Sequence, residues 1–83
     1  MENQLFSIAA EIRAEAARQN MPYTHLAELS GLSASSISRK IGQEISPLYM
    51  GEAYALAQAL DISFSELVAR AEKRGISRQT EAA

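Results

Sequence analysis

The sequence predicts an all-α domain of five short helices, and three observations lead there. Apolar residues recur at helical rather than alternating spacing. The two prolines, Pro22 and Pro47, and the four glycines, Gly31, Gly42, Gly51 and Gly75, punctuate those runs. A chain of 83 residues with no cysteine has neither disulfides nor thiolate metal sites to hold it, so helix packing must do so. With 47% hydrophobic and 22% charged residues it carries enough apolar material for one compact core and reads as a single module.

In the first helix Leu5, Ile8, Ala9, Ile12 and Ala16 form an i, i+3, i+4, i+7 stripe, with Glu2, Glu11, Glu15 and Arg18 assigned to the wet side. Asn3 is the expected cap. The helix should stop near Asn20, which tolerates a left-handed backbone, because Pro22 disfavours a helical Met21. A short second helix, Tyr23 to Ser30, turns its Leu26 and Ala27 inward, with Leu29 as a further candidate for that side, and ends at Gly31. Ser33 then caps a third, Ala34 to Ile41, in which Ile37 and Ile41 face inward and Ala34, Ser35, Ser38 and Arg39 face out. Met50, Ala53, Tyr54, Leu56, Ala57 and Leu60 mark a fourth, with an earlier start at Ser46-Pro47 as the alternative. The fifth opens on Ser63-Phe64-Ser65-Glu66, the pattern of a capping box, continues through Leu67, Val68 and Ala71, and is expected to stop at Gly75. Residues 1–75 then form the domain and 76–83 a frayed tail.

Between the second and third helices Ala27, Gly31 and Ile37 carry a steric pattern. Two helices crossing at about 90 to 120° through a short turn need a small side chain at the crossing and no Cβ at the bend. Here the chain resembles the Cro/C1-type helix-turn-helix family of phage and bacterial repressors, a lambda-repressor-like fold. The likeness extends through Ser46-Pro47, Ala55 to Ser63 and Glu66-Leu67, covering roughly residues 12–68.

The resemblance implies an operator-binding transcription regulator whose third helix lies in the major groove of double-stranded DNA. Ala34, Ser35 and Arg39 are then the candidate base contacts, Arg39 by a bidentate pair with guanine and Ala34 against a thymine methyl. Tyr23, Thr24, Ser33, Ser36, Ser38, Lys40, Gln43 and Tyr49 are the candidate backbone contacts. Tyr23 stands where the family usually has glutamine, Asp61 where it has glycine, and Tyr49 where a small polar cap is usual. Val68 and Ala71 could join a symmetric contact between two fifth helices, which makes a homodimer a candidate assembly.

Eight Lys and Arg against ten Asp and Glu leave a net charge of −2, unusual for a nucleic-acid binder. Locally the balance differs, since from Tyr23 to Gln43 Arg39 and Lys40 outnumber Glu28. So few cations imply modest affinity per protomer and a shallow salt slope. Arg70, Lys73, Arg74 and Arg78 form a basic run that reads first as a solvated helix end and second as an auxiliary contact.

No catalytic constellation emerges. His25 is the lone histidine and is assigned to the surface, while the serines around the third helix are explained by capping and by a small polar face. Neither an enzyme nor a cofactor is expected. The first 20 residues lack a signal-peptide core, and no 18-residue apolar run occurs, so a cytoplasmic protein without a membrane span is expected. The rival to a DNA-binding repressor is a protein-binding helix-turn-helix module, antitoxin-like or adaptor.

Overall fold

Ser7 opens the first helix by accepting the Ala10 amide at 3.0 Å, and α1 runs Ile8–Arg18. The computed structural model describes the backbone of residues 7–82 and the side chains of residues 7–74. Asn3, the expected cap, and Leu5 lie outside the described residues, and Ser7 takes the capping role. At the other end Asn20 adopts φ 54°, the Met21 amide reaches back to the Ala16 carbonyl at 2.9 Å, and the Asn20 amide to Ala17 at 3.1 Å. This paired arrangement satisfies the last carbonyls and turns Met21 onto the core.

α2 spans Tyr23–Ser30 and ends on Gly31 at φ 84°, a conformation from which a Cβ is normally excluded. Ser33 caps α3, Ala34–Ile37, by accepting the Ser36 amide at 3.1 Å. The third helix does not finish as α-helix. It widens into a π-helical turn, Ser38–Gly42, in which the Gln43 amide bonds the Ser38 carbonyl at 2.8 Å. Tertiary partners claim the carbonyls there: Arg39 accepts the amides of Ile45 and Ser46 at 2.9 and 3.3 Å, and Arg13 donates to the Ile41 carbonyl. These loop bonds compete with the i to i−4 ladder that the spacing of Ile37 and Ile41 suggested.

α4 runs Met50–Ala59 with Tyr49 as its cap residue, so the earlier start at Pro47 is not used. Its end repeats the geometry of α1: Asp61 sits at φ 59°, and Ile62 reaches back to Ala57 at 3.0 Å. Asp61 thus does the job expected of it in place of glycine. α5 opens on Ser63, which accepts the Glu66 amide at 3.1 Å; the Glu66 carboxylate points forward to Arg70 at 2.8 Å rather than back to complete a capping box. The helix continues through Gly75 to Ala82. One interior glycine costs a helix only about 1 kcal/mol relative to alanine, and neither proline nor a second glycine follows it, so Gly75 is no stop. The packing of the side chains in the tail, Arg78 among them, lies outside the described residues.

The five helices enclose one core of Ile12, Leu26, Ile37, Ile41, Leu56, Leu60 and Leu67, and no strand occurs among the described residues. Three expectations change. Glu11 is 2% exposed, not on the wet side, because α5 covers that face of α1. Met50 and Tyr54 are 72% and 52% exposed, because Ala53, Leu56, Ala57 and Leu60 alone form the inward stripe of α4. Tyr54 instead leans on half-buried Phe64, the ring centroids 6.2 Å apart. Ala71 is buried in the chain's own fold and Val68 is half-buried, so the two do not form an exposed contact face.

Candidate nucleic-acid interface

The site is built on the crossing of α2 and the third helix. Gly31 makes the bend, Ser33 starts the next helix, and Leu26 and Ile37 lock the pair from beneath, each fully buried. This leaves the outer side of the third helix without a large apolar residue. Ser35 and Arg39, one turn apart, are both exposed, and the Arg39 guanidinium donates to Ser35 Oγ at 2.8 Å. Ala34 is half-buried beside them. Arg39 has no carboxylate partner among the described residues, so its guanidinium is restrained by a weak neutral acceptor only.

The other sequence candidates differ in how far their side chains are already engaged. Thr24 is exposed in the first turn of α2, where Pro22 offers no side-chain cap to the leading amides. Tyr23 lays its ring over Gly42, so closely that a Cβ there would meet the ring at 3.2 Å. Ser33 Oγ receives the Ser36 amide but retains its own hydroxyl proton, while Ser36 is half-buried. Ser38 accepts a long bond from the Gln43 side chain at 3.4 Å. Tyr49 is exposed at the edge of α4.

Lys40 is the most constrained. Its side chain is 13% exposed, its ammonium contacts both Glu52 oxygens at 2.9 and 2.8 Å, and it lies 5.0 Å from the centre of the Tyr49 ring. The Glu52 carboxyl is held below its ordinary range, first by the Lys40 ammonium and then by the Tyr49 amide. The residue pattern alone does not tie Glu52 to the third helix. Its position three residues after a helix cap was a signal for the amide contact, but nothing local signals the lysine.

Other acids are matched by arginines away from this face. On α1, Glu11 receives Arg74 at 2.8 Å, with Arg18 3.9 Å away, and Glu15 receives Arg70 at 2.7 Å together with Arg18 and Gln19. Bonds from Gln19 and Arg18, reinforced by Arg70, bring the Glu15 pKa down from 4.5 to about 2. The Arg70 guanidinium is stabilised in return by Glu66 and Glu15, and that of Arg74 by Glu11. Two arginines of the basic run are therefore ties between α1 and α5, neither of the roles assigned to them. Arg13 makes a further pair at 3.0 Å with Glu44, whose backbone sits at φ 56°.

No cluster of three metal-binding side chains and no helix long and apolar enough to cross a membrane occurs among the described residues. An all-helical domain with this crossing and this polar outer helix is a helix-turn-helix module. The family model for the Cro/C1-type HTH DNA-binding domain matches residues 11–73, and the chain belongs to that family. No curated protein and no solved structure matches it.

Proposed function

We propose that the protein is a sequence-specific, double-stranded DNA-binding transcriptional regulator, a repressor of phage or mobile-element type that inserts its third helix into the major groove of an operator. The observation that carries this reading is the Arg39–Ser35 pair. It is an exposed arginine on a small-residue helix face, bonded to a hydroxyl that a guanine edge can replace. Ser35 and Ala34 read neighbouring bases. Thr24, the leading amides of α2, the Ser33 hydroxyl, Ser36, Ser38, Gln43, Tyr23 and Tyr49 line the approach of the phosphates. With Arg39 the main cation on this face, one protomer binds modestly and occupancy requires two copies on adjacent or pseudo-palindromic half-sites.

The test is a fluorescence-anisotropy titration of duplex fragments from the native locus, at two salt concentrations, with wild type and Arg39→Ala. Selective binding by wild type, weakened by about 1–3 kcal/mol and made less selective in the variant, is the expected result. A folded wild-type protein that selects no fragment at either salt overturns the reading.

The second reading, a protein-binding module, draws support from one observation. Exposed Ile45 and Met50 border a groove of about 600 Å³ that runs from Ser7 and Ile8 to Phe64. A stoichiometric protein partner captured from the native host, together with absence of duplex binding, would favour it.

A further inference from the structure

We infer that Glu52 is a built-in competitor of the DNA backbone, holding the Lys40 ammonium in an intramolecular pair that keeps it from a phosphate. This deepens the DNA-binding reading and rests on it. The ammonium has three protons, and two of the directions they can take are filled by the Glu52 oxygens at 2.9 and 2.8 Å. The pair is largely shielded, with Lys40 13% and Glu52 23% exposed, and the Tyr49 ring lies 5.0 Å away along the same edge. Both ends are anchored. Lys40 belongs to the π-helical turn that closes the third helix, and Glu52 Oε1 also accepts the Tyr49 amide at 3.0 Å at the start of α4. A carboxylate so placed neutralises a cation beside Arg39 and adds negative charge next to the path of the phosphates. It thereby lowers the number of counterions that DNA releases on binding.

Glu52→Gln separates charge from shape. The glutamine oxygen can still accept the Tyr49 amide, so the helix start keeps its bond, while the ammonium loses its ionic partner. The expected result is duplex binding on the order of fivefold tighter at 0.1 M salt, with the slope of log Kobs against log salt steeper by about 0.9, the contribution of one added phosphate contact. Lys40→Gln should leave the wild-type slope unchanged, and Lys40→Gln/Glu52→Gln should return to it. Glu52→Ala is measured in parallel and should steepen the slope equally, so the test survives if the glutamine variant does not fold; circular dichroism checks each protein.

An unchanged slope in both folded Glu52 variants, with wild type binding DNA, overturns the inference and spares the DNA-binding reading. A gain in affinity that persists in the double variant overturns it as well, because Glu52 would then act by general repulsion and not through Lys40. Failure of folded wild type and of every Glu52 variant to bind duplex even at low salt overturns both.

Discussion

The face between α1 and α5 and the outer face of the third helix handle charge in opposite ways. On the first, Glu11 and Glu15 meet Arg18, Arg70 and Arg74 in a connected set of ion pairs. On the second, Arg39 rests on a serine hydroxyl. The difference teaches that net charge is a poor guide to partner for a chain this small. An overall charge of −2 coexists with a polar, weakly cationic helix face, because that total does not say where charges lie: Glu11 and Glu15 are matched by arginines between two other helices, away from Arg39. A charge with several internal partners supports the fold, whereas one with a single weak partner can be given to a ligand.

The contrast breaks if the two faces respond alike to loss of an arginine. Among the described residues, Arg74→Met leaves the 2% exposed Glu11 carboxylate with only Arg18, 3.9 Å away. Stranding a buried carboxylate in this way costs on the order of 3 kcal/mol. A thermal melt should register a fall on the order of 10 °C or more for a domain of this size. Glu11→Leu/Arg74→Met should recover most of that loss, because an apolar pair demands no compensation. Arg39→Ala should melt within a degree or two of wild type while losing DNA selectivity. Equal losses of stability in Arg74→Met and Arg39→Ala would dissolve the distinction.

Acid sharpens the same comparison, with a smaller effect. The Glu15 pKa is depressed from 4.5 to about 2, so its contribution to stability is fully present above about pH 4.5 and is lost as pH falls towards 2. Denaturation of wild type and Glu15→Gln should therefore show a constant stability gap from neutrality to about pH 5. The gap should close between pH 4.5 and 2. A gap that does not change over that range would mean that Glu15 acts through packing rather than charge.

The smallest expected change tests backbone strain apart from either face. Asp61→Gly relieves a side chain at φ 59° and removes an acidic group from the negative end of α4. A gain of about 0.5–1 kcal/mol is expected by chemical denaturation, partly offset by the freedom that glycine gains in the unfolded chain. A loss would show that the aspartate makes a contribution beyond its backbone shape.

Helix existence, the bend at Gly31, the caps at Ser33 and Ser63, and the left-handed ends at Asn20 and Asp61 were legible in the residues, since each depends on neighbours within a turn or two. So was the outward aspect of Ser35 and Arg39. The errors have one character. Glu11 read as solvent-facing because a carboxylate on an otherwise polar flank ordinarily is, and only the arrival of α5 buries it. Tyr54 falls by its spacing on the apolar stripe that marks the fourth helix, yet small Ala53 and Ala57 draw α4 close and leave the ring at the rim. Gly75 read as a terminator because glycine so often is one.

By itself, then, the sequence determined the five-helix class, the helix-turn-helix bend and the outward placement of Ser35 and Arg39, all from periodicity, steric need and local capping. Tertiary structure alone decided which charges are spent. Arg70 finds Glu15 across 55 residues, Arg74 finds Glu11 across 63, and Lys40 finds Glu52 across 12. Such pairings obey no short-range rule. Coulomb attraction acts on distance in space, and that distance is set only when packing of the apolar stripes brings the helices together.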